Sequence, residues 1–259
     1  MTRDRKHLSV ARQRFLAGLG VPEPKPFSPD QFQLDAIESL VSGNDTLVIA
    51  PTGAGKTYIA TQAIRRIVEQ GKRAVYTAPL KALSNAKYAE MKKLFEPEFR
   101  VGLLTGDRKI EGDADVVVAT TEIYRNELYS YSENYALVVL DEFHYLADPQ
   151  RGPVWEESVV LSPRSSTLLM LSASISNAEE ISRWIEQVRN KKVTIITVKE
   201  RPVQLRLGFL HLELGVLPLE GEDGHIFPEV AQFYADGAGG GGGRRFEGRR
   251  RGFRRGGRR

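Results

Sequence analysis

One run of residues limits what this chain can fold into more than any other: Leu47-Val48-Ile49-Ala50-Pro51-Thr52-Gly53-Ala54-Gly55-Lys56-Thr57. A short apolar run suited to a buried parallel strand empties into a loop punctuated by glycine. Ile59, Ala63, Ile64, Ile67 and Val68 then follow at helical spacing. Strand, glycine loop and helix form the context in which a phosphate-binding loop has to sit. Gly53 and Gly55 allow the backbone to curl until successive N–H groups converge on phosphate oxygens, and the following helix adds its positive dipole end. Lys56 is placed to reach the β- and γ-phosphates, and the Thr57 hydroxyl to ligate Mg²⁺. Ala50 stands where the GxxxxGKT pattern has its first glycine. The stretch reads as a nucleotide site.

Composition removes several classes. The 259 residues are 41% hydrophobic, enough for one large or two small cored domains. The chain has no cysteine, which excludes disulfides and thiolate metal centres, and His7, His144, His211 and His225 are scattered. No apolar run approaches the ~20 residues of a membrane span, and Met1–Gly20 lacks the apolar core of a secretory signal. The expectation is a cytoplasmic protein with no membrane partner. Charge is uneven. Residues 244–259 carry nine arginines and one glutamate, +8, so the other 243 residues sum to −4 against a net charge of +4. The body is mildly acidic, and any nucleic-acid affinity it has must come from a local patch.

Residues 1–20 admit a short amphipathic helix through Leu8, Ala11, Phe15, Leu16 and Leu19, but read rather as a solvated arm. Val21-Pro22-Glu23-Pro24-Lys25-Pro26 reads as a stiff linker. A helix begins after Ser28-Pro29-Asp30 and stops at Gly43-Asn44. Apolar runs at 47–50, 74–78, 101–104, 116–119, 137–140, 167–171 and about 193–198 read as buried strands. Helical patterns at 56–69, 84–95, 121–129, 153–161 and 177–188 lie between most of them. That alternation predicts an α/β fold, a mostly parallel sheet with helices on both faces. Right-handed crossovers then put every strand's C-terminal end on one edge, where ligands bind.

The strand Leu137-Val138-Val139-Leu140 delivers Asp141-Glu142 to that edge. Asp141 is placed to hold Mg²⁺, directly or through water, and Glu142 to orient and deprotonate a water attacking the γ-phosphate. An isolated Asp-Glu is often a polar strand terminus; downstream of a phosphate loop the functional reading prevails.

Asp141-Glu142-Phe143-His144-Tyr145 resembles the DExH box of superfamily 2 helicases, and the closest likeness is to the Ski-like RNA helicases of RNA decay. Those enzymes similarly carry the loop as Ala-Pro-Thr-Gly-Ala-Gly-Lys-Thr, which accounts for Ala50. The resemblance implies a RecA-like P-loop NTPase domain using ATP and Mg²⁺. It places Phe32 and Gln33 at the adenine, Pro51 through Thr57 around the phosphates, and Lys56, Asp141, Glu142 and His144 in catalysis, with Thr57 and Asp141 on the metal. His144 carries the family role of linking nucleotide and nucleic-acid sides. Pro79 and Lys81, Thr105 and Gly106, and Thr120, Thr121, Glu122 and Arg125 stand in segments resembling the family's nucleic-acid motifs. Ser172-Ala173-Ser174 stands where the family couples the two activities with Ser-Ala-Thr, and the serine keeps the hydroxyl. Singly these segments are bland, since Thr120-Thr121-Glu122 is also an ordinary helix cap and Lys81 an ordinary surface lysine; their joint order carries the likeness. It covers about residues 27–207, and Arg201-Pro202-Val203 resembles the passage out of the first RecA-like domain.

The expected organisation is an arm and linker at 1–26, the ATP-binding domain at 27–200, a connector with a partial β extension at 201–236, and a disordered Gly/Arg-rich tail at 237–259. The tail has three readings: an RNA-binding segment, a solvated end, or the product of a shifted reading frame in GC-rich codons. No second RecA-like sheet fits after Val198, so hydrolysis is expected to need such a domain in trans. The implied function is that of an ATP-binding domain of an RNA helicase, with single-stranded RNA as partner and DNA possible. Two alternatives are a DNA-directed superfamily 2 helicase fragment and a non-catalytic, ATP-gated RNA-binding module.

Overall fold

Leu47 and Ile49 belong to one hydrophobic core, Val48 and Ala50 to another. The same alternation runs through Val117 and Val118, Val138 and Val139, and Met170 and Leu171. Successive side chains of a strand point to opposite faces, so a strand apolar throughout has to be covered on both.

A computed structural model describes residues 2–17, 28–130, 135–201, 205–211, 214–221 and 223–239. In chain order the elements begin with α1 (Thr2–Leu16), α2 (Gln31–Val41), β1 (Asp45–Ile49), α3 (Lys56–Val68), β2 (Ala74–Ala78), α4 (Lys81–Phe95), β3 (Val101–Leu104) and β4 (Lys109–Ile110). There follow β5 (Val116–Thr120), α5 (Thr121–Tyr129), β6 (Leu137–Leu140), a 3₁₀ turn (Phe143–Ala147), α6 (Gly152–Leu161), β7 (Thr167–Ser172), α7 (Ala178–Arg189) and β8 (Val193–Thr197). The last are β9 (Gly208–His211), β10 (Gly215–Pro218) and α8 (Pro228–Gly239).

The eight strands of the main sheet lie in the order β4-β3-β5-β2-β6-β7-β1-β8. All neighbours are parallel except β3 and β4. Side chains of α2, α3 and α4 (Ile37, Ile64, Met91) fill one core, and those of α5, α6 and α7 (Tyr124, Trp155, Ile185) fill the other. Register sets the site. Ile49 pairs with Ser172 and Thr197, and Thr77 with Ala119 and Leu140. The loops after β1, β2, β5, β6 and β7 therefore leave from one edge. The α/β, mostly parallel RecA-like sheet expected from the sequence is the fold observed; the two-residue antiparallel β4 is an addition.

A second compact unit is built from the N-terminal helix and the described residues between 205 and 239. Here β9 and β10 pair antiparallel, and Leu217, Phe227 and Val230 form a small core with Leu8, Ala11, Phe209, Leu214 and Leu219 around it. Within residues 1–20, expected as a solvated arm, α1 puts Leu8 and Ala11 into apolar contact with this core. Residues 215–236, within the expected connector, contain β10 and most of α8, a helix that continues to Gly239. The proline-rich linker at 21–26 and the tail from residue 240 lie outside the described residues. Among the described residues no helix is long and apolar enough to cross a membrane.

Candidate nucleotide and nucleic-acid site

The phosphate loop leaves β1 at Ala50, whose N–H donates to Ser172 O of β7 at 3.0 Å. Gly53 and Gly55 take φ of +89° and +83°, the left-handed region that glycine enters without steric cost. Gly55 is the residue before α3, so the turn that opens the helix also aims its free N–H groups. Lys56 folds back along the loop, its ammonium donating to Ala50 O at 2.6 Å and Pro51 O at 3.3 Å. Burial pushes the Lys56 pKa below the ordinary lysine range, and the carboxylates of Glu142 and Asp141 oppose that shift. Residues 85 positions apart in sequence are thereby in electrostatic reach of one another.

Gln33 is buried and spans the loop's back. Its Oε1 accepts from Asp30 N at 2.9 Å, closing a capping box on α2, while Nε2 donates to Ala54 O at 3.1 Å. Its amide is thus engaged with the loop; Phe32 beside it packs on the core of that face.

On the other side of β7, Asp141 directly follows β6. One carboxylate oxygen accepts from Tyr76 Oη at 2.5 Å and the other from Glu142 N at 2.9 Å. Tyr76 is buried, and that burial together with Asp141 raises its pKa far above the phenol range, so it stays a donor. Glu142 has φ of +52°, an uncommon conformation for a side chain with a Cβ and one that clusters at functional sites. His144 Nδ1 lies 3.3 Å from Glu142 Oε2, close enough to pair if the ring is protonated but not aligned as a hydrogen bond. The His144 ring stacks on Tyr145, and Tyr145 stacks on the buried Trp155 of α6.

No group of three or more His, Cys, Asp or Glu that would hold a metal occurs among the described residues. The Thr57 hydroxyl and the Asp141 carboxylate are all-oxygen donors. They suit magnesium, which takes one or two protein ligands and completes its shell with phosphates and water.

The segments expected to meet nucleic acid come together in part. Lys81, at the start of α4, pairs with Asp107 at 3.2 Å beside Gly106, and Arg108 donates to Asn85 at 2.8 Å. Arg125 on α5 is held by Glu157 of α6 at 2.5 Å, and Tyr129 Oη donates to the same carboxylate at 3.1 Å. The threonines turn inward. Thr120 caps α5 by accepting from Ile123 N, Thr121 is wholly buried, and the Thr105 hydroxyl bonds Asp107. Pro79 is buried too, while Glu122 is half-buried at the start of α5. Ser172 Oγ donates to Ser174 O at 3.2 Å, folding the Ser172-Ala173-Ser174 turn next to the loop. Tyr76, Lys87 and Glu157 escaped sequence reasoning. Tyr76 carries the one signal available, a phenol within an otherwise apolar strand that needs a buried partner.

A family model described as DEAD/DEAH box helicase matches residues 30–181. Probable helicase HelY of Mycobacterium leprae is 45% identical over 183 residues, 70% of this chain and 20% of that protein. The DExH-box ATP-dependent RNA helicase DExH9 of Arabidopsis thaliana is 42% identical over 184 residues, 70% of this chain and 18% of that one. The antiviral helicase SKI2 of Saccharomyces cerevisiae is 37% identical over 193 residues, 72% of this chain and 15% of that one. The match therefore spans a fifth or less of these relatives. Among solved structures, the DUF1998 helicase MrfA bound to DNA is similar in fold, with a TM-score of 0.55 and 19% identity over 72% of this chain and 29% of that one.

Proposed function

The chain belongs to the DEAD/DEAH box helicase family, and from that premise we propose that residues 27–200 are an ATP-binding motor domain acting on single-stranded RNA. The observation that carries the reading is the convergence of Lys56 with Asp141 and Glu142, delivered by β1 and β6 on either side of β7. The loop Pro51–Thr57 would cradle the phosphates, and Thr57 and Asp141 would hold Mg²⁺, which supplies charge neutralisation at the β- and γ-oxygens. Glu142 would accept a proton from the attacking water, with its odd backbone angle fixing where the carboxylate points. His144, beside Glu142 and stacked toward Trp155, would pass changes at the nucleotide to the core of that face. Lys81, Gly106, Glu122 and Arg125 would meet a sugar–phosphate backbone, with the buried threonines shaping the surface from beneath. Such contacts position a strand without reading its bases.

The described residues hold one sheet of this kind. Hydrolysis at a motor's rate would call for arginines from a second RecA-like domain, in a longer polypeptide or in trans. An arginine finger is worth about 10³–10⁵ in rate. These 259 residues alone should therefore bind Mg·ATP and turn it over very slowly. Titration with a fluorescent ATP analogue, then single-turnover hydrolysis with and without single-stranded RNA or DNA of equal length, tests the reading. Glu142→Gln serves as the blank. Failure to bind nucleotide overturns it. Turnover near 1 s⁻¹, common among enzymes, overturns the need for an outside arginine, and stimulation by DNA alone overturns RNA.

A further inference from the structure

Lys87 sits in the nucleotide site although none of the segments that reveal that site includes it. From the second turn of α4 its ammonium donates to Thr57 Oγ1 at 3.1 Å and to Glu90 Oε2 at 2.8 Å. It also lies 5.6 Å from the centre of the Tyr76 ring, whose hydroxyl holds Asp141. A lysine and glutamate three apart on a helix are ordinarily a solvated pair of little consequence. This one is not: the Lys87 side chain is only 20% exposed and its nitrogen reaches a hydroxyl thirty positions upstream. One cation of the protein's own is thus bonded to the oxygen read as a magnesium ligand, one side chain away from the carboxylate read as sharing that ion.

A threonine oxygen has two lone pairs. It cannot accept from an ammonium and ligate a divalent cation without bringing two positive centres against one small atom. We propose that Lys87 is an internal competitor of magnesium at Thr57. Its ammonium holds the hydroxyl in place and pairs with the carboxylate of Glu90. When Mg²⁺ arrives with the phosphates, the ammonium gives up Thr57 and stays with Glu90. Glu90 then serves as the acceptor that keeps the displaced charge close without leaving it unpaired. The consequence is a site that resists a bare metal ion and admits it with nucleotide, whose phosphates outweigh the added repulsion. The inference rests on the nucleotide-site reading given above.

The test is the Mg²⁺ concentration that half-saturates binding of a fluorescent ATP analogue, read by fluorescence and independent of hydrolysis. Lys87→Met should lower that midpoint at least about fivefold, the lower end of common coupling between two ligands. Affinity at saturating Mg²⁺ should change far less. Lys87→Arg, which keeps the charge, should leave the midpoint near that of the unsubstituted chain. Glu90→Gln, which removes the acceptor for the displaced ammonium, should raise it. Lys87→Gln replaces Lys87→Met if circular dichroism shows that the methionine variant does not fold. An unchanged or raised midpoint on removing the charge overturns the proposal, because Lys87 would then be neutral toward the metal or an aid to it. If the unsubstituted chain binds no nucleotide at any Mg²⁺ concentration, the site reading fails and this inference fails with it.

Discussion

The side-chain nitrogen of Gln33 lies over Gly55, donating to the carbonyl oxygen of Ala54 at 3.1 Å, in the space that a Cβ on Gly55 would occupy. Two separate constraints thus fall on one residue, the positive φ and the close approach of a buried amide. Gly55→Ala meets both. The left-handed backbone costs about 1–2 kcal/mol for a residue with a Cβ, and the overlap forces either Gln33 or the loop to move. The expected result is a nucleotide affinity lowered tenfold or more with the sheet intact, read by analogue titration beside a thermal melt. Unchanged affinity would show that the loop does not need this geometry.

Lys56→Ala separates phosphate binding from folding. The ammonium bonds only loop carbonyls and is partly desolvated, so its loss leaves no core contact broken. The melting temperature should hold within a few degrees while affinity for the ATP analogue falls sharply. Equal affinity in the two proteins would remove the loop from the nucleotide site.

Far from that edge, Arg189 at the end of α7 donates to Asp45 Oδ2 at 2.6 Å, with both side chains all but fully buried. The remaining guanidinium donors reach Ser162 O and Ser166 O at 2.8 and 2.9 Å, and Asp45 Oδ1 accepts from Leu168 N at 2.8 Å. Every partner is satisfied, so Asp45→Ala strands a buried charge. Breaking such a pair costs about 3–5 kcal/mol. Urea unfolding should show a loss of that order, while nucleotide affinity under native conditions stays put because Asp45 begins β1 and the loop follows its other end. A loss below about 1 kcal/mol would mean the network is not what joins α7 to the sheet.

What the sequence made legible follows from contiguity. Strands β1, β2, β3, β5, β6 and β7 are apolar on both faces and were readable as runs, and the loop and Asp141-Glu142 each lie in one short segment. Strand β4 has two residues, too few for any period, and β10 is bracketed by Gly215 and Pro218, which read as breakers. Lys87, Tyr76 and Glu157 act on partners 30, 65 and 32 positions away, so nothing local marks them. The burial of the threonines was equally hidden: Thr105 follows β3, Thr120 ends β5 and Thr121 begins α5, and all three side chains are drawn inward.

Tyr124 supplies a pH test of the core. Its hydroxyl is buried against Ser162 at 2.7 Å, and burial pushes its pKa above the tyrosine range. In the unfolded chain the phenol ionises near pH 10. The folded state therefore holds the proton more tightly. Its contribution to stability is complete below about pH 10 and is lost as pH rises beyond it. Urea midpoints should fall between pH 9 and 11, and fall less steeply in Tyr124→Phe. Parallel slopes would show that other groups carry the alkaline dependence.

Arg125 is proposed to meet a phosphate, yet its guanidinium is held by Glu157, which also accepts from Tyr129. A strand that takes Arg125 has to compete with that carboxylate, and the hydrogen bond from Arg125 keeps Glu157 ionised by lowering its pKa. Glu157→Gln weakens the grip and removes a negative charge from the path of the phosphates. Affinity for single-stranded RNA at low salt should rise several-fold, and the plot of log affinity against log salt should steepen by up to about 0.7, one contact's worth on a single strand. Arg125→Ala should do the reverse. The decisive measurement is the double substitution. If Glu157 acts by withholding Arg125, its removal gains little once the arginine is gone. If Glu157→Gln tightens binding equally in both backgrounds, the effect is general electrostatics, and Arg125 is a structural tie between α5 and α6 rather than a contact to RNA.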